Sequence, residues 1–74
     1  MSGTMSKDEL EKDIQKYDSL INNTRIKIQD ARARLATEQN TNTRSIIEEE
    51  IGFYLAELYK RIQQQAVLIV EINT

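Results

Sequence analysis

The sequence predicts an all-α fold: one antiparallel hairpin of two long helices, coiled-coil-like, that dimerises into a four-helix bundle. Three observations predict it. Two stretches repeat apolar residues in alternating steps of four and three, a short polar segment separates them, and their charges complement each other only when the chain doubles back.

In the first stretch the stripe runs Leu10, Ile14, Tyr17, Ile21, Thr24, Ile28, Ala31 and Leu35, a 3.5-residue repeat in which Thr24 alone is not apolar. No Gly or Pro interrupts it between Lys7 and Glu38. Ser6 followed by Glu9 has the spacing of a capping box, in which the Ser hydroxyl and the Glu carboxylate each satisfy an orphan backbone N–H. The first helix is therefore expected over about 7–37. Residues 1–5 (MSGTM) carry no periodicity and are expected to be a tail, or a non-native remnant ahead of a start at Met5. The helical hairpin itself spans 6–74.

Thr37 to Thr43 (TEQNTNT) holds no large apolar residue, and its Asn and Thr side chains compete for backbone hydrogen bonds. A connection over about 38–43 is expected, with Thr43 or Ser45 capping a second helix over about 44–72. Glu48, Glu49 and Glu50 would then complement the dipole of that helix's N-terminus.

The second stripe is expected along Ile47, Ile51, Leu55, Leu58, Ile62, Gln65, Ile69 and Ile72. Tyr54, Tyr59, Ala66 and Leu68 flank it, so the apolar face covers about half the cylinder, wider than a two-helix seam needs. Gly52 costs roughly 1 kcal/mol against Ala inside a helix. It either permits a close approach or is simply tolerated, with tolerance favoured. Ile46, Phe53 and Val67 lie behind the stripe, as do Ile26 and Ala33 on the first helix; they are read as scattered surface residues.

A connection this short cannot span helices about 45 Å long to make a parallel pair. Doubled back, the chain sets Arg25, Lys27, Arg32 and Arg34 beside Glu48 to Glu50, and Asp18 near Lys60 and Arg61. Tyr17 and Gln65 fall together in the seam, where they either hydrogen-bond and fix the alignment or both reach solvent. One hairpin is a small core, and the run Ala66 to Ile72 points apolar side chains in nearly every direction. A second chain is expected to cover it, with Tyr54, Leu58, Val67, Leu68, Ile69 and Val70 at the interface and a homodimer as the simplest closed assembly.

Composition narrows the chemistry. The 74 residues hold ten Lys or Arg against twelve Asp or Glu, a net charge of −2, with no Cys, His, Pro or Trp. Disulfide scaffolds, thiolate zinc sites and the commonest general base are thereby excluded. The only glycines, Gly3 and Gly52, make no phosphate-cradling loop. Adjacent helical residues such as Glu48, Glu49 and Glu50 point about 100° apart and cannot converge on one metal ion. No catalytic residue, metal or cofactor is expected. A membrane surface is not expected as a partner either, because the second helix sets Arg44, Lys60 and Arg61 against five acids.

The expected function is a non-enzymatic, cytoplasmic oligomerisation, adaptor or chaperone-like subunit acting through protein–protein contacts, alone or within a larger complex. The alternative is a small dimeric nucleic-acid-binding regulator using Arg25, Lys27, Arg32 and Arg34 against phosphates. The architecture resembles in outline the helical-hairpin dimers that bind RNA in plasmid copy-number control; the likeness is one of shape, with no motif behind it.

Overall fold

The computed structural model describes residues 6–74, so the tail expected at 1–5 lies outside the described residues. It contains two helices packed along their length, α1 (Lys7–Thr37) and α2 (Thr41–Ile72), in a rod of 58 × 15 × 14 Å. Among the described residues, no helix is long and apolar enough to cross a membrane.

At the N-terminus of α1 the Ser6 half of the expected capping box forms. Ser6 Oγ accepts from the Glu9 N–H at 3.2 Å and the Ser6 carbonyl accepts from the Leu10 N–H at 3.0 Å, while Asp8 and Glu9 occupy the positive end of the helix. Leu10, Ile21, Thr24, Ile28 and Ala31 are buried, and Ile14, Tyr17 and Leu35 half-buried. Thr24 is tolerated in this row because its hydroxyl donates to the Leu20 carbonyl at 2.9 Å, one turn back in its own helix.

The connection is three residues, 38–40, rather than six, and α2 starts at Thr41. The cap is Asn40, not Thr43 or Ser45: its Oδ1 accepts from the N–H groups of Asn42 at 3.0 Å and Thr43 at 3.1 Å. Arg44 closes the other side of the turn. Its Nη1 donates to the carbonyls of Leu35 at 2.8 Å and Glu38 at 2.9 Å, adding a donor at the end of α1, where the Leu35 carbonyl otherwise accepts only the longer 3.4 Å bond from the Glu38 N–H. The earlier start moves Glu48 to Glu50 beyond the first turn of α2, which holds no acid. Of these, Glu50 meets α1, through Arg34, rather than serving the helix dipole, while Glu48 and Glu49 are exposed.

Cross-helix contacts set the register. Gln65 Nε2 donates to the Ile14 carbonyl at 3.0 Å and to Asp18, Arg34 pairs with Glu50 at 3.1 Å, and the Lys27 ammonium stands 5.7 Å from the centre of the Tyr54 ring. With α1 on a strict 4–3 repeat, the facing row of α2 is thereby Ile47, Ile51, Tyr54, Leu58, Arg61, Gln65, Leu68 and Ile72. Each of these is buried or half-buried. Three expected seam residues are displaced: Leu55 is 42% exposed, Ile62 38% and Ile69 41%. The cause is phase. The step from Ile51 to Leu55 is a second consecutive four, which carries the apolar path off the row facing α1 and onto its flank. Gln65 does fix the alignment, but through a backbone carbonyl and Asp18 rather than through Tyr17.

Candidate association surface

Burial is unequal between the helices. On α2 only Ile47 is buried, against five residues on α1, although α2 is the more apolar of the two. Of the nine exposed large apolar side chains, eight belong to α2, with Ile26 the exception. A helix whose apolar residues exceed the width of one seam has nowhere to put the surplus in a two-helix layer.

The surplus is ordered. From Glu48 the chain steps by four and three through Gly52, Leu55, Tyr59, Ile62, Ala66 and Ile69 to Asn73, a second seam on the same helix beside the first. Every residue of it is exposed. No charged residue of α2 falls in this row between its ends. The shallow groove where it meets α1 is lined by Arg25, Ile28, Gln29, Arg32, Leu55 and Leu58. Gly52 has open space where a side chain would go, since a Cβ there would meet nothing within 4 Å. Phe53, at 71% exposure, and Val67, at 58%, face away from this row, and the Phe53 ring meets Tyr54 edge-on at 6.5 Å.

Of the six residues expected at an interface, Tyr54, Leu58 and Leu68 are half-buried in the row facing α1, while Val67, Ile69 and Val70 are exposed. The second seam was legible in the sequence through its own 4–3 spacing. It is hidden when Leu55, Ile62 and Ile69 are merged with the first row.

The opposite flank of the hairpin is polar. Glu50 there accepts both bonds from Arg34 Nη2, at 3.1 and 3.2 Å, and a third from the Tyr54 hydroxyl at 3.0 Å. Those donors hold the Glu50 carboxyl below the usual carboxylate range, the Arg34 hydrogen bond first and the Tyr54 hydroxyl second. Conversely, donating to Glu50 pushes the Tyr54 hydroxyl up. Arg34 also approaches Asp30 at 3.4 Å.

The four basic residues of α1 therefore divide between two flanks. Lys27 and Arg34 engage Tyr54 and Glu50 on one side, and Arg25 and Arg32 border Leu55 on the other.

No family model matches this sequence, and neither a curated protein nor a solved structure matches it.

Proposed function

We propose that this chain is a non-enzymatic association module, an oligomerisation, adaptor or chaperone-like subunit that works by packing the outer face of α2 against another helical surface. One observation carries it: the exposed row from Gly52 to Ile69 repeats the spacing of a coiled-coil seam and is free of charge along its length. A contiguous apolar row on a small protein is an interaction surface or an aggregation hazard, and regular 4–3 spacing favours the first. The basic residues support nucleic-acid binding less well, because they face two sides and half of them are engaged by Tyr54 and Glu50.

Site-specific photo-cross-linking in the native cell tests this function. A photoreactive residue in place of Ile62 should yield adducts of discrete mass, and one in place of exposed Lys12 should yield none. Absence of adducts from Ile62 would remove the proposal.

A further inference from the structure

Within that association reading, we propose the occupant of the second seam: the same seam of a second copy, packed antiparallel, with the two-fold axis passing between Lys60 and Arg61. Two hairpins then close a square four-helix bundle in which α2 lies beside α2 and α1 beside α1.

Side-chain size places the axis. About that point Gly52 faces Ile69 of the second copy, Leu55 faces Ala66, and Tyr59 faces Ile62. Small therefore meets large in each outer layer, and the two largest pairs fill the centre, as interdigitating layers require. Gly52 now has a purpose that the single hairpin does not supply. It is the gap opposite Ile69, and with Ala66 it lets the helices approach to about 8 Å, the close end of helix packing.

Charge on α1 provides an independent check. The hairpin register sets the level between Lys60 and Arg61 beside Ile21 and Asn22 of α1. The flank of α1 that adjoins the second seam carries Glu11, Asp18, Arg25 and Arg32, all exposed and seven residues apart. Rotation about the same axis sets Glu11 against Arg32 of the second copy and Asp18 against Arg25. Both pairs are oppositely charged, and both are centred on the level that the α2 layers select. A parallel dimer would instead set Glu11 against Glu11 and Arg32 against Arg32, so charge selects the antiparallel arrangement.

Sedimentation equilibrium on the full chain and on two charge-reversed variants tests this dimer. Glu11→Arg with Asp18→Arg makes the α1 flank wholly basic, and Arg25→Glu with Arg32→Glu makes it wholly acidic. All four positions are exposed, and the Ile14 carbonyl still holds Gln65 at 3.0 Å when Asp18, its second acceptor, is replaced, so circular dichroism should show helicity unchanged. Each variant alone should dissociate at least about tenfold more readily than the native dimer, and an equimolar mixture should recover native affinity as a heterodimer. A separate variant, Gly52→Leu, should raise helicity yet weaken dimerisation several-fold by forcing the helices apart. The proposal is overturned by a native chain that stays monomeric, by charge-reversed variants that dimerise as the native chain does, or by a mixture no tighter than its components. A monomeric native chain that still cross-links through Ile62 to a protein of different mass would overturn this dimer alone. An Ile62 position that cross-links to nothing would overturn the association reading with it.

Discussion

Gln65 of α2 donates to the Ile14 carbonyl of α1 at 3.0 Å, spanning 51 residues of sequence with one hydrogen bond. That carbonyl belongs to the α1 ladder, so the bond aligns the helices without being needed to satisfy Ile14. Gln65→Leu should therefore raise the melting temperature, adding about 1 kcal/mol of apolar burial beside Tyr17 in place of a polar group. Thermal unfolding by circular dichroism checks it; a loss of stability of similar size would show that the amide contributes more than alignment.

Arg44 ties the start of α2 to the end of α1 through the Leu35 and Glu38 carbonyls. Arg44→Ala leaves both without that donor and should cost about 1–2 kcal/mol. Amide hydrogen exchange should localise the change, with faster exchange confined to the last turn of α1 and the first of α2. Uniform acceleration along both helices would contradict a capping role.

Seam substitutions on α1 should separate by chemistry. Thr24→Val keeps the branched shape and exchanges a self-satisfied hydroxyl for a methyl, so stability should rise by about 0.5–1 kcal/mol. Ile28→Ala removes a side chain only 5% exposed and should cost about 2–4 kcal/mol, most of what a hairpin of this size has. Urea titration of both variants measures the contrast.

Acid should weaken the hairpin through Glu50. Its carboxyl is held below the usual range by Arg34 and then by Tyr54, so the folded state favours the ionised form. That contribution is fully present above the ordinary carboxylate value and is lost as pH falls through the lowered folded value. Glu50→Gln should be less stable at neutral pH and should show a shallower decline from about pH 5 downward. The cluster sits at the surface, so high salt should narrow the difference. At the alkaline end the sign reverses for Tyr54, whose raised value makes its contribution disappear as pH climbs beyond the ordinary tyrosine range.

The two outer faces of α2 should behave differently. Ile62→Asp with Ile69→Asp places charge in the second seam and should abolish association while leaving helicity intact, because both side chains lie on the exposed flank of the first seam rather than in its facing row. Phe53→Asp with Val67→Asp alters a face outside that seam and should leave association unchanged. Analytical ultracentrifugation at matched concentrations separates them; equal effects from both pairs would show that spacing does not define the surface.

Local chemistry determined much of this protein by itself. The unbroken 4–3 row from Leu10 to Leu35 and the Ser6 cap dictate α1, since spacing and capping act within a few residues of each other. The antiparallel fold-back also followed from a polar segment too short to span a helix, and Arg34 does meet Glu50 as the charges require. The tertiary structure alone decided which apolar residues of α2 face inward. Leu55 and Tyr54 are neighbours in sequence, and either can begin a plausible row. The choice rests on the phase imposed by α1, by the three-residue turn capped by Asn40, and by the anchor of Gln65 on Ile14. Periodicity within one helix defines its rows, but only a packed neighbour selects which row is buried and which stays exposed.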